Sequence, residues 1–133
     1  MSTVERFIKW KKPAVKHNKL TEWNWMVQNP ECLDVGYGSD IGAFTYINAK
    51  LGVIIGENVQ IGSHCSIYSV STIDDKEGQV VINKNARVGS HTTIMPGVII
   101  GENSIVGAHS FVNKDVPANS TAYGVPIIIK KVK

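Results

Sequence analysis

The chain has 133 residues, which is enough for one domain with a single core. Hydrophobic residues make up 43% of it and charged residues 19%, a balance that excludes a disordered chain and a coiled coil. The net charge of +3 is far below what nucleic-acid binding through phosphates requires, and it favours a small anionic ligand.

The sequence also lacks the patterns of a membrane or secreted protein. It contains no run of about 18 apolar residues, and its first residues have no apolar stretch like that of a signal peptide. Cys32 and Cys65 show neither a zinc-binding spacing nor a disulfide framework. We therefore expect a cytoplasmic protein with reduced thiols and with no membrane or nucleic-acid partner.

Residues 1–30 do not follow the pattern of the rest and predict a cap segment. Ser2 begins a capping-box pattern for a short helix that ends before Pro13. Trp23 and Trp25 follow on a less regular segment. We expect these aromatic side chains to cover the open end of the next domain, because an exposed strand edge promotes aggregation. Stacking on a ligand is the alternative.

In residues 31–126 an aliphatic residue recurs every six positions, usually followed by glycine. The aliphatic positions are Val35, Ile41, Ile47, Ile55, Ile61, Ile67, Ile73, Ile82, Val88, Ile94, Ile100, Val106 and Val112. A small residue comes four positions after nearly every one of them. Two coupled patterns kept over so many repeats indicate a solenoid of stacked units.

Each six-residue repeat predicts a short strand and a turn, with the aliphatic and the small residue pointing inward. Three repeats close one triangular coil, and successive coils stack at about 4.8 Å. The sequence therefore predicts an all-β protein, a parallel β-helix of nearly five coils with a short N-terminal helical cap. Residues 127–133 predict a final strand with a basic end.

The period slips at two places, where we expect loops to leave the column. It slips by about two residues between Ile47 and Ile55, and by about three between Ile73 and Ile82. The second loop, residues 74–78, is polar, as an outward loop should be.

The C-terminal repeats resemble those of a known family. Val88-Gly-Ser-His91, Val106-Gly-Ala-His109 and Tyr123-Gly-Val-Pro126 are similar to the last coils of galactoside and maltose O-acetyltransferases. These enzymes belong to the hexapeptide-repeat acyltransferase superfamily, and the resemblance covers about residues 35–131. It implies a left-handed β-helix, acetyl-coenzyme A as acyl donor and no metal. It also implies a homotrimer with each active site in the groove between two neighbours.

The resemblance also implies which residues contact the donor. Ser90, Ala108 and Asn113 match residues along the pantetheine arm, and Lys131 matches a basic residue near the phosphates. Ile128 stands where the family places a second cationic residue, and Lys130 or Lys114 are possible substitutes.

The catalytic base is not where the family has it. In the sugar O-acetyltransferases a histidine follows the segment that matches residues 69–72, but here the loop contains none. His64 precedes that loop by two strands, and we expect it to be the base. His91 and His109 are eighteen residues apart and should stack on one edge, where an interface or coenzyme contact is the more natural role.

The missing base favours an amine acceptor, because an amine is partly uncharged near neutral pH. The sequence thus predicts transfer to an amino sugar, free or nucleotide-linked, in surface polysaccharide or glycan synthesis; a sugar O-acetyltransferase is the alternative. Asn48 resembles an acceptor-binding asparagine of the family, and Asp74 and Asp75 have charges suited to an ammonium group.

Two other classes compete with this interpretation. A γ-class carbonic anhydrase needs three histidine ligands for zinc, two of them five residues apart, and no two histidines here have that spacing. A scaffold without catalysis would leave the coenzyme-lining pattern unexplained.

Overall fold

The computed structural model describes residues 9–132 and shows a left-handed parallel β-helix of about five coils, which confirms the predicted fold class. Each coil contributes one strand to each of three flat sheets. Face 1 contains β1 (Met26–Gln28), β4 (Tyr46–Asn48), β7 (Ser66–Tyr68), β12 (Thr93–Ile94) and β15 (Phe111–Val112). Face 2 contains β2 (Leu33–Val35), β5 (Val53–Ile55), β10 (Val80–Ile82) and β13 (Ile99–Ile100). Face 3 contains β3 (Asp40–Ile41), β6 (Gln60–Ile61), β11 (Arg87–Val88), β14 (Ile105–Val106) and β16 (Ser120–Tyr123), with β17 (Ile128–Val132) antiparallel to β16.

The core consists of aliphatic columns that run the length of the helix. On face 1, Ile47 pairs with Ile67, Ile67 with Ile94, and Ile94 with Val112. All four side chains are fully buried. Burying each such side chain stabilises the fold by about 1.5–3 kcal/mol, so the repeated position supplies most of the core.

The corners between the faces use residues that tolerate a left-handed backbone. At the corner between face 2 and face 3, Asn85, Asn103 and Asn119 have φ angles of 57–61°. The side-chain amide of each lower asparagine donates to the oxygen of the next at 3.1 Å. Asparagine at this position therefore serves both the turn and the stacking of the coils.

The second predicted loop is longer than expected. Residues after Ile67 leave the column as an antiparallel hairpin of β8 (Val70–Ser71) and β9 (Lys76–Glu77), and the chain rejoins face 2 at Val80. Ile73 was predicted as an inward residue, and that prediction is wrong because the side chain is 97% exposed in the hairpin. Its six-residue distance from Ile67 imitates the repeat without continuing it.

The parallel stack begins before residue 31. Val27 in β1 is buried and pairs with Ile47, and Trp25 lies beneath it in the core cluster. A 3-10 helix, Pro30–Cys32, joins β1 to β2. Most of the predicted N-terminal helix, residues 2–8, lies outside the described residues, and residues 9–132 contain no α-helix. No helix among residues 9–132 is long and apolar enough to cross a bilayer.

Candidate functional site

Four aromatic rings stack along the corner between face 3 and face 1, which we name the histidine corner. Phe44, His64, His91 and His109 occupy the same turn position in successive coils, with φ angles of 57–63°. Their ring centroids lie 5.3, 4.8 and 4.7 Å apart in that order, close to the spacing of neighbouring strands. All four side chains are exposed. The stack covers the faces of the His64 ring, so its nitrogens are presented at the outer edge of the column.

The stacking of His91 on His109 agrees with the sequence prediction, but the place of His64 in the same stack was missed. The planes of the His64 and His91 rings differ by only 7°. Because the hairpin lies between them, these two residues are 27 positions apart instead of eighteen. The spacing therefore gave no signal of their contact.

Glycines and small residues form the coil edge beside the histidine corner. A Cβ atom added to Gly62 would lie 2.6 Å from the backbone nitrogen of Ser90, and one on Gly89 would lie 2.4 Å from that of Ala108. Such distances leave no room for a side chain at either glycine. Beside this edge an open groove of about 520 Å³ runs along face 3, lined by Arg87, Ala108 and the glycine backbone. A ligand in this groove can approach the backbone closely.

Asn48 lies on the opposite edge of face 1, at the corner from which the hairpin leaves, and we name this the hairpin corner. The Asn48 side-chain amide donates to Oε1 of Gln28 at 3.0 Å, and the Tyr46 hydroxyl donates to the same oxygen at 2.9 Å. Oδ1 of Asn48 accepts from the Ser69 hydroxyl at 3.3 Å and from the Lys50 backbone at 3.2 Å. These contacts hold the Asn48 amide in one orientation.

Two tyrosines flank this network and were not identified from the sequence. The rings of Tyr46 and Tyr68 lie 5.9 Å apart with a tilt of 55°. Burial raises the pKa of Tyr46, so its hydroxyl remains protonated around neutral pH. Each tyrosine is next to an inward isoleucine and therefore points outward, which is the signal that a search for outward aromatic residues would have used.

The two aspartates of the hairpin are exposed and make local contacts. The Ser71 hydroxyl donates to Asp74 at 2.6 Å, and the Lys76 ammonium lies 3.7 Å from the other carboxylate oxygen. Asp75 occupies a left-handed turn position at φ 52°. Both carboxylates lie beyond the hairpin corner, on its outer side.

The remaining predicted donor residues lie higher in the column. Asn113 follows β15 on the same edge of face 1 as Asn48, three coils above it, and is exposed. Lys131 is exposed in β17, where it pairs with Thr121. Next to this pair the register shifts at a β-bulge, so Lys130 has no partner residue in β16. The Nζ atom of Lys130 lies 4.9 Å from the centroid of the Tyr123 ring.

Apart from Lys131 in face 3, the predicted site residues thus fall on two edges of face 1. The histidine corner holds His64, Ser90 and Ala108; the hairpin corner and its edge hold Asn48, Asp74, Asp75 and Asn113. The whole of β7 separates His64 from Ser69, the hydrogen-bond partner of Asn48. A single chain does not bring the expected base and the expected acceptor residues together.

The geometry of the histidine stack does not suit shared metal ligation within one chain. The His91 and His109 rings are parallel to within 1° at 4.7 Å, so their in-plane lone pairs run side by side instead of converging on one ion. Among residues 9–132 no three His, Cys, Asp or Glu side chains are grouped to hold a metal.

Comparison with known proteins places this geometry among acyltransferases. Residues 79–114 match the bacterial transferase hexapeptide (six repeats) family, and residues 52–72 match the hexapeptide repeat of succinyl-transferase. The galactoside O-acetyltransferase of Lactococcus lactis is 31% identical over 125 residues, which cover 81% of this chain and 60% of that protein.

Two solved structures share the fold over most of the chain. A hexapeptide-repeat acetyltransferase of Vibrio cholerae, complexed with acetyl-coenzyme A, superposes with a TM-score of 0.77 at 26% identity, covering 81% of this chain and 64% of that one. A galactoside acetyltransferase in complex with coenzyme A gives a TM-score of 0.76 at 28% identity, with coverage of 89% and 64%. This chain spans less than two thirds of the length of each of these three proteins.

Proposed function

Because this chain belongs to the hexapeptide-repeat acyltransferase superfamily, we propose that it transfers an acetyl group from acetyl-coenzyme A to a sugar, and preferably to an amino sugar. The observation that carries the proposal is the histidine corner. There, an exposed histidine stack runs beside the open groove of face 3, which glycine and small residues line. Acetyl-coenzyme A is the proposed donor, and the cytoplasm is the proposed location of the protein because this donor is available there.

The donor lies along the histidine corner. Its pantetheine arm carries amide groups, which pair with backbone groups along the groove that Gly62 and Gly89 line. Ser90 and Ala108 are small enough for the arm to lie close to the coil edge. At the upper end of the column, Lys131 and Lys130, the residue at the β-bulge, provide positive charge for the phosphates of the donor. These two lysines offset the absence of a cationic residue at position 128.

A homotrimer explains why the site residues are split between two edges. In a threefold ring each chain meets its neighbours through different surfaces. The histidine corner of one chain then faces the hairpin corner of the next, and one groove contains both His64 and Asn48. This arrangement supports the assignment of the donor to one chain and of the acceptor to its neighbour.

Within that groove, His64 acts as the general base. Its nitrogens are at the edge of the stack, where they accept the proton that the acceptor amine or hydroxyl loses as it attacks the thioester carbonyl. The new bond forms at the carbonyl carbon, the carbon–sulfur bond breaks, and the thiolate of coenzyme A takes up a proton. A base of this kind contributes roughly 10²–10⁴-fold to the rate.

The acceptor is held at the hairpin corner. Asn48 is fixed by Gln28 and Ser69, so its remaining amide hydrogen has a defined direction for a sugar hydroxyl. Asp74 and Asp75 add negative charge nearby, which favours an ammonium group before its proton is lost. The absence of a histidine from the hairpin supports an amine acceptor over a hydroxyl acceptor.

A thiol-release assay with acetyl-coenzyme A tests the proposal. We expect turnover with glucosamine or a nucleotide-linked amino sugar, and less with glucose as the matched hydroxyl acceptor. His64→Ala should lower kcat by about 10²–10⁴-fold with coenzyme A binding unchanged in calorimetry. His17→Asn, a histidine change away from the groove, is the control. Faster turnover of glucose would favour O-acetylation. No release with any acceptor, together with no coenzyme A binding, would refute the function.

A further inference from the structure

A cavity of about 210 Å³ lies at the lower end of the column, beside the first strand of face 3. It is lined by Trp10, Trp23 and Trp25 together with Lys9, Lys11 and Asp40. These are all three tryptophans of the chain. Sites for whole drug-sized ligands measure roughly 300–1,000 Å³, so this tryptophan cavity is suited to one ring of a larger molecule.

The Trp10 side chain and the backbone that carries Trp23 and Trp25 are held in place by contacts of their own. The Trp10 indole N–H donates to the Ser39 carbonyl at 2.6 Å, and the ring packs 5.0 Å from that of Tyr37. The Thr21 hydroxyl accepts the backbone N–H groups of Trp23 and Trp25 at 3.2 and 3.3 Å. Trp25 is 1% exposed and forms the floor, whereas Trp23 is 37% exposed and stands at the mouth. Walls fixed in this way lose little entropy when a ligand binds.

The lining combines flat apolar faces with charged groups. Lys11 is paired with Glu22 at 3.0 Å, and Asp40 borders the cavity from face 3. A pyranose ring has the matching chemistry, because one of its faces carries C–H groups and its rim carries hydroxyls. The C–H face packs on an indole, and the hydroxyls pair with the lysine and carboxylate groups.

The cavity lies next to the lower end of the groove of face 3. Asp40 lines both, and in the register of face 3 it lies below Gln60, Arg87 and Ile105 in turn. At about 4.8 Å per strand, Asp40 lies one strand below the level of His64, the proposed base, and roughly 14 Å below the level of Ala108. A ring bound in the cavity therefore lies below the base, as the neighbour of the reacting sugar and not as the sugar that reacts.

We propose that the tryptophan cavity binds a sugar ring adjacent to the reacting sugar, so that the acceptor is a saccharide of two or more units. The proposal rests on the proposed function, since the groove must hold the donor at its upper end. The cavity then acts as a specificity site that selects for acceptor length.

Tryptophan fluorescence tests binding without any activity measurement, because every tryptophan of the chain lines this cavity. The probes are glucosamine and its β-1,4-linked trimer. We expect the trimer to change the fluorescence at a concentration at least fivefold lower than glucosamine does, and coenzyme A to cause no change. A response to a nucleotide-linked amino sugar without one to the trimer would overturn the sugar assignment.

Kinetics with Trp23→Ala provide the second test. We expect kcat/KM to fall about three- to tenfold for the trimer and less than twofold for glucosamine, with KM for acetyl-coenzyme A unchanged. Trp23→Phe should restore most of the loss, and Leu20→Ala, an exposed apolar side chain near the same turn, should have no effect. Equal losses for both acceptors would overturn the proposal while leaving the acetyl transfer itself intact.

Discussion

Two isoleucines at equivalent positions of the sequence pattern should differ in how much stability the same substitution costs. Ile94 is fully buried between Ile67 and Val112 on face 1, so Ile94→Ala removes buried apolar volume and leaves a cavity. Such changes cost about 2–5 kcal/mol. For a chain of 133 residues, 1 kcal/mol corresponds to about 4 °C in Tm, so we expect a decrease of roughly 8–20 °C. Ile73→Ala removes the same atoms from a side chain that is 97% exposed, and the expected change is within about 0.5 kcal/mol.

Urea denaturation followed by circular dichroism measures both variants at one fixed protein concentration, because association would otherwise change the apparent stability. A loss for Ile73→Ala comparable with that of Ile94→Ala would refute the reasoning, since it would place the hairpin in the core. A loss below 1 kcal/mol for Ile94→Ala would refute the aliphatic column as the main source of stability.

Three further experiments test the coil edge and the buried thiol. Gly89→Ala places a methyl group 2.4 Å from the backbone nitrogen of Ala108. We therefore expect the free energy of unfolding, measured by urea denaturation, to fall by about 1–3 kcal/mol, and coenzyme A to bind more weakly in calorimetry. An unchanged urea midpoint would contradict the close stacking of the coils. Cys32 is exposed and Cys65 buried, so one thiol per native chain should react with a colorimetric thiol reagent and two in guanidinium; two fast thiols in the native protein would contradict the burial. Burial raises the pKa of Cys65, so its proton is bound in both states below about pH 8.5, and above that pH the unfolded chain ionises first. The free energy of unfolding should therefore fall with rising pH by up to about 1.4 kcal/mol per pH unit, and Cys65→Ala should reduce this dependence. An identical pH dependence in the variant would contradict Cys65 as its source.

The repeat determined the column because its two constraints act on the same inward positions. Ile47, Ile67 and Ile94 were all predicted inward and are all buried, since each coil sees the same neighbours above and below. Ile73 was misplaced because six residues separate it from Ile67, and a period alone does not distinguish a continuing coil from a hairpin that starts with the same spacing. The hairpin depends on the pairing of Val70 with Glu77, which has no periodic signature.

The histidine corner could be predicted only where no insertion intervenes. His91 and His109 are one coil apart in sequence and in space, so their stacking was expected, whereas the hairpin hides the contact between His64 and His91. The Asn48 network was not predictable from the repeat for another reason. Its central acceptor, Gln28, lies in β1, and the inward residue of that strand, Val27, stands eight positions before Val35 and therefore outside the six-residue period.

The division between regular and irregular parts of the chain has a functional consequence under the proposed transfer reaction. A coil edge repeated every eighteen residues presents the same backbone groups at each level, which suits the extended and invariant arm of one donor. The same regularity makes it a poor discriminator between acceptors. Discrimination needs groups that occur once, and these lie outside the repeated sequence pattern, in the hairpin with Asp74 and in the N-terminal segment that carries Gln28 and the tryptophans. Donor recognition is therefore a property of the repeat itself, whereas acceptor recognition is a property of the places where the repeat is interrupted.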